Sequence, residues 1–164
     1  MGLRLLLIAL FSALFSMQAA AQGASVAFGT IAQDTSLPVE VSSDELAVDQ
    51  ETGTAIFTGN VVIGQGEMRL SAQRVLVVYR ATADGIAKLE ATGGVTLVSG
   101  PDAAEAQRAD YSIDDGTIVM SGNVLLAQGA SALSADTMTI RLEDGTARMS
   151  GNVRTSLQTG SKNE

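Results

Sequence analysis

The 164-residue chain carries 18 acidic against 10 basic residues and contains no histidine, cysteine or tryptophan. An acidic surface disfavours nucleic acid and anionic membrane faces as electrostatic partners. Without imidazole or thiol, the commonest general base, the thiol nucleophile, disulfides and nearly every transition-metal ligand set are excluded, so no catalytic residue, cofactor or metal is expected.

The first element is "MGLRLLLIALFSALFSMQAAAQG", with one cation at Arg4, an apolar run from Leu5 to Phe15 and small residues at Ala19 and Ala21. It reads as a secretory signal peptide, residues 1–21, cut after Ala21. The run is shorter than the roughly 20 apolar residues that span a bilayer. Its removal leaves 164 − 21 = 143 residues, the size of one domain that can bury a core without staples. Residues 22–37 are expected to form a flexible N-terminal segment.

From Pro38 onward the chain repeats a phrase: "FTGNVVIGQG" at Phe57, "MSGNVLLAQG" at Met120 and "MSGNV" at Met149. Its first glycines, with a counterpart at Gly93, are Gly59, Gly93, Gly122 and Gly151, spaced by 34, 29 and 29 residues. A period near 30 marks stacked supersecondary units. Seven residues after the first three stand Gly66, Gly100 and Gly129, and thirteen after them Ala72, Ala106 and Ala135. A further turn precedes each unit, at Thr52-Gly53, Asp84-Gly85, Asp115-Gly116 and Asp144-Gly145. The longer second unit carries its insertion in "YRATADGIA", a surface loop.

Between turns the side chains alternate with period two, the mark of a sheet with one buried face. Ala55, Phe57, Val61 and Ile63 share a face, as do Leu89, Ala91, Val95 and Leu97, and Ile118, Met120, Val124 and Leu126. Ile56 and Val119 interrupt the otherwise polar opposite face. A glycine on the inward face marks a bend, so each repeated glycine is read as a corner where the sheet folds over. Returning strands point Val75, Val77 and Tyr79, then Tyr111 and Ile113, then Met138, Ile140 and Leu142 inward, with Leu46 and Val48 in the same set. The parity slips by one around "AQR" and "SAD", which calls for a bulge. The fold class is all-β, built by repetition and not closed into a barrel.

The stretch "PVEVSSDELAVDQETGTAIFTGNVVIGQGEMRLSAQRVLVV", with "DYSIDDGTIVMSGNVLLAQG" and "ALSADTMTIRL" in the same register, resembles the LptA/OstA-like family of periplasmic lipopolysaccharide transport proteins. The resemblance runs from Pro38 to Leu157. It implies a slightly open antiparallel β-jelly roll over residues 38–157, an apolar interior holding lipid acyl chains, and a disordered tail at 158–164. It also implies end-to-end self-association in the periplasm, between an LptC-like inner-membrane protein at the N-terminal edge and an LptD-like outer-membrane protein at the C-terminal edge. Thr35, Val39 and Val41 stand where the family's first strand lines the cavity mouth. Leu97 stands where the family carries a phenylalanine, and Tyr111 and Ile113 match an inward aromatic-x-aliphatic pair. Tyr111 is equally readable as a half-buried sheet tyrosine, and each aliphatic residue as plain core.

The fourth phrase stops after "GNVRTSL", so the strand from Val153 to Leu157, with Val153 and Thr155 on it, is expected to lack a neighbour on one side and to accept a partner strand. Other motifs carry less. Gly64-Gln65-Gly66 is a hairpin, since no helix follows to bind phosphate. Asp114-Asp115-Gly116 offers too few oxygens for calcium. Arg69, Arg74, Arg108 and Arg141 recur near the corners, as headgroup contacts or as ordinary surface charges. Three functions follow: a lipopolysaccharide carrier that binds lipid A, a structural β-solenoid filament without cargo, and a polysaccharide enzyme, for which aromatic platforms are lacking.

Overall fold

The computed structural model describes residues 23–29, 34–82 and 84–157. The expected signal peptide and the 158–164 tail lie outside the described residues. Among the described residues eleven strands form one antiparallel sheet: β1 (Ala24–Ala27), β2 (Glu40–Ser42), β3 (Glu45–Asp49), β4 (Thr54–Gln65), β5 (Met68–Tyr79), β6 (Ile86–Ser99), β7 (Asp102–Ser112), β8 (Thr117–Gln128), β9 (Ser131–Arg141), β10 (Thr146–Ser150) and β11 (Arg154–Leu157). Strands β4 to β10 follow one another as a meander, β2 and β3 both pair with β4, β11 pairs with β9, and β1 pairs with β10.

The repeated glycines are the corners expected of them. At Gly59-Asn60, Gly122-Asn123 and Gly151-Asn152 both residues adopt positive φ, 77–84° for glycine and 45–51° for asparagine, and Gly93-Gly94 does the same at 88°. Only glycine and asparagine enter this left-handed region at small cost, which is why the repeat spells them in this order. The ladder skips there: β4 passes from Thr58 to Val61 while β5 passes from Arg74 to Ala72, so that Gly59 and Asn60 bulge opposite the single residue Gln73. The slips at "AQR" and "SAD" come from these bulges, which lie not in those segments but opposite them: Gln73, Gln107 and Asp136 are the single residues that face the doubled ones. At the two terminal corners an aspartate completes the bend. The Asp44 N–H donates to the Gly59 carbonyl and the Asn60 amide donates to the Asp44 carboxylate, at 2.9 and 2.8 Å. Asp136 repeats both bonds with Gly151 and Asn152, at 2.8 and 2.9 Å.

Each long strand is thereby divided between two limbs. The first limb carries residues 54–58, 74–79, 86–92, 108–112, 117–121 and 137–141 with β1, β3 and β10; the second carries 61–65, 68–72, 95–99, 102–106, 124–128 and 131–135 with β2 and β11. A single sheet cannot bury one of its own faces, yet Leu97, Ile118, Met120, Val124, Leu126, Met138 and Ile140 have no accessible surface. The limbs cover each other, and the core is one cluster between them. The outer face is mostly polar, with Val62, Val98, Val119 and Leu125 exposed on it. On it Arg108 bonds Asp110 and Glu90, and Lys88 bonds Glu90. The Arg108 guanidinium holds the Asp110 carboxyl below the usual carboxylate range.

Three expectations need correction. Leu46 and Val48 stand opposite Phe57 and Ala55 and so keep the inward parity, but they are 56% and 62% exposed. β3 is the outermost strand of its limb, and the other limb ends on that side in three-residue β2, so nothing covers them. Tyr79 is 42% exposed, because the register shifts between Val78 and Tyr79 and carries the ring out of the covered face. The segment 22–37, expected to be flexible, contributes strand β1, whose residues Ala24 to Ala27 face Met149 to Thr146. Phe28 immediately after it is buried in the core.

At Gly122 (φ +84°) an added Cβ would lie 2.7 Å from the Gln107 amide oxygen and 2.9 Å from its Cβ. Gly122→Val is therefore expected to destabilise the protein by about 1–3 kcal/mol, read as a lower urea midpoint with unchanged slope. At Gly129, where nothing lies within 4 Å, Gly129→Asn should cost far less. Equal midpoints for the two variants would contradict the packed-corner account.

Candidate functional site

The apolar interior between the limbs, packed as one core cluster and termed the cleft below, is long because it grows by one strand at a time. In the second limb one row of cross-strand neighbours runs from Val41 through Ile63 and Leu70 to Leu97, and on through Ala104, Leu126 and Leu133 to Thr155. Eight strands at about 4.8 Å give a row of roughly 34 Å. Val41, Leu97 and Thr155 thus share one line, at its two ends and near its middle. Leu97 is fully buried, Val41 is partly buried against the core, and Thr155 is exposed. Across the cleft, Tyr111 stands in the first limb between Leu89 and Ile118. Ile113, just beyond β7, and Val39, just before β2, pack against the same core from its margin, and so does Val153 after the last corner. Thr35 is exposed, and it meets the site through its carbonyl and not its side chain.

The open side of the cleft, opposite the corners, carries polar groups that the sequence reading missed. Gln65, Ser99 and Asp102 are buried, and Gln128 stands beside them on the rim of the second limb. Gln65 accepts a 2.7 Å bond from the Tyr111 hydroxyl, which comes from the opposite limb, and donates to the carbonyls of Thr35 and Leu37 at 3.1 and 3.0 Å. Burial raises the Tyr111 phenol above its usual pKa, so it remains a neutral donor. Asp102 accepts from the Gly29 N–H at 2.7 Å and from the Gln128 amide at 2.9 Å, and that amide also donates to the Ala27 carbonyl at 2.7 Å. The available signal was the glutamine preceding Gly66 and Gly129, a polar residue on the inward parity of an apolar strand. Among the arginines, Arg108 and Arg141 are bonded to carboxylates of their own face. Among the described residues no group of three or more acidic side chains is placed to hold a metal.

Residues 40–146 match the family described as LptA/(LptD N-terminal domain) LPS transport protein. The chain belongs to this family. An uncharacterised protein of Rhizobium meliloti is 30% identical over 68% of this chain and 70% of its own length. The lipopolysaccharide export system protein LptA of Escherichia coli K12 is 33% identical over 54 residues, and the match spans 33% of this chain and 29% of that protein. The fold is that of LptH from Pseudomonas aeruginosa, the LptA-homologous periplasmic component of a lipopolysaccharide transport device: TM-score 0.68 at 14% identity, over 77% of this chain and 99% of that one.

The Gln65–Tyr111 bond joins the two limbs, and its loss strands a buried hydroxyl. Gln65→Leu is expected to destabilise the protein by about 1–3 kcal/mol, and Gln65→Leu with Tyr111→Phe to recover part of that loss, because no buried phenol is then left unpaired. A urea-denaturation double-mutant cycle measures this; strictly additive effects would show that the bond does not couple the limbs.

Proposed function

We propose that the protein is a non-enzymatic periplasmic carrier of lipopolysaccharide, which takes the lipid A acyl chains between its limbs and passes the molecule along a bridge between the two membranes. The observation that carries this reading is the single aliphatic interior between the limbs, roughly 34 Å long, whose open side is fastened by polar groups rather than by strand pairing. A bridge of this kind has neighbours at both ends: an LptC-like protein of the inner membrane at the β2–β3 edge, further copies of the chain, and an LptD-like protein of the outer membrane at the β11 edge. Family membership supports the reading, and so do the end strands. β2 and β3 pair only with β4, and β11 only with β9, among the described residues. Leu46 and Val48, exposed on the inward face of β3, offer apolar surface that would continue the cleft into a neighbour.

The chemistry is adequate to the task. Burial contributes about 0.8 kcal/mol per methylene, so roughly ten methylenes would supply on the order of 8 kcal/mol before ordering costs. Acyl chains make no directional demand, so successive positions along an aliphatic wall bind them with similar strength, and sliding between them needs no energy source within this protein. A filament without cargo would have no use for polar groups that fasten the open side of the cleft.

A photo-crosslinking side chain at Leu97, Tyr111 or Ile113 is expected to capture lipopolysaccharide, and one at Asn60 or Lys88 on the outer surface to capture none. Equal capture from both sets would refute the cleft as the lipid site. For the docking edge, proline at Thr155 removes a backbone donor from the last strand, and proline at Val153 removes one immediately before it. The expected product is a folded monomer that still takes lipid but no longer forms end-to-end complexes in analytical ultracentrifugation. Complexes of unchanged affinity would place the junction elsewhere.

A further inference from the structure

We propose that the segment Gly23–Gly29 is a strap across the open side of the cleft, and that Phe28 competes with an acyl chain for the same space, so that lipid enters only as the strap leaves. The proposal rests on the carrier reading above and adds how access to that site is controlled. Three consecutive residues bind both limbs at once. The Phe28 N–H donates to the Gly145 carbonyl of the first limb, at 2.8 Å. The Gly29 N–H donates to Asp102, and the Ala27 carbonyl accepts from Gln128, both in the second limb. Between these bonds the Phe28 ring, 3% exposed, lies in the same core cluster as the walls of the cleft.

The construction suits a removable closure. β1 is a four-residue strand, it pairs with β10 alone, and its far edge has no strand beside it among the described residues. Its lifting breaks no ladder among the long strands. The bonds that hold it are polar, and on lifting each donor and acceptor can turn to water, since they lie on the rim. The apolar space vacated by Phe28, and at its margin by Val26, then lacks an occupant, and an acyl chain fills it without needing a polar partner. Asp102 and Gln128 on this view are positioning residues for the strap and do not touch lipid.

The chain has no cysteine, so one disulfide can be introduced alone. Ser25 and Arg148 stand directly opposite each other, both exposed and turned away from the cleft. In the full-length mature protein, Ser25→Cys with Arg148→Cys is expected to bind purified lipopolysaccharide at least ten-fold more weakly when oxidised than when reduced. A control disulfide from Thr117→Cys with Arg141→Cys, opposite each other within the first limb, should leave binding unchanged. Phe28→Ala should bind several-fold more tightly than the wild type. Equal binding by the oxidised and reduced strap variant, or weaker binding by Phe28→Ala, overturns the strap and leaves the carrier reading intact. Failure of the wild type and of every reduced variant to bind lipopolysaccharide overturns both.

Discussion

Everything in this structure depends on a backbone bend of two residues in the left-handed conformation, repeated once per unit. A straight antiparallel sheet of twelve-residue strands would present one apolar face with nothing to cover it. The bend at Gly59-Asn60, Gly122-Asn123 and Gly151-Asn152 lets each strand cover itself, so that no second sheet is required. The steric cost of positive φ is small for these two residue types, and at the terminal corners the Asp44 and Asp136 carboxylates secure the asparagine side chains. Such a corner also fixes proportions. The width of the cleft is set by the half-strand, about five residues, while its length increases with every strand added. A narrow, extensible apolar interior is therefore a consequence of where glycine falls.

The corners, the alternation and the bulges were legible in the sequence because each is local. Gly59 needs no distant partner to demand a bend, and the odd step between Ala72 and Val75 can only be accommodated by an extra residue in the strands beside it. What alternation cannot express is coverage. Leu46 and Val48 have the parity of core residues and the exposure of surface residues, because parity belongs to the strand and burial belongs to whatever lies opposite. The same reasoning explains Tyr79, whose face was assigned from Val75 and Val77 while the ladder shifted beneath it. β1 was not legible for a different reason: Ala24 pairs with Met149, from the opposite end of the chain, and a four-residue alternation carries no indication of a partner so far away.

The candidate site divides along the same line. Leu97, Tyr111 and Val41 could be placed by the repeat and by family likeness, and all three line or border the interior. Gln65, Asp102 and Gln128 were passed over because a glutamine beside a glycine reads as turn chemistry, and an aspartate beginning a strand reads as solvated. Their significance lies in what stands across the cleft, Tyr111 for the first and the Ala27–Gly29 backbone for the other two. A pair made between limbs leaves no trace in the spacing along either strand.

The polar rim also bears on how such an interior could both hold and release an apolar cargo. If the open side were sealed by aliphatic contacts alone, opening would expose that surface to water, and the closed form would persist in proportion to the area buried. A rim of amides, a carboxylate and a phenol behaves otherwise, because hydrogen bonds broken there are replaced by bonds to water and their net contribution to closure is small. Under the proposed function the apolar walls would supply affinity for alkyl chains, while the rim would decide how readily they are reached. Placing these two tasks on different residues would let the interior take up such chains without being permanently shut, and the second limb carries both kinds of group, with Ile63 facing the interior and Gln65, two residues on, fastening its edge.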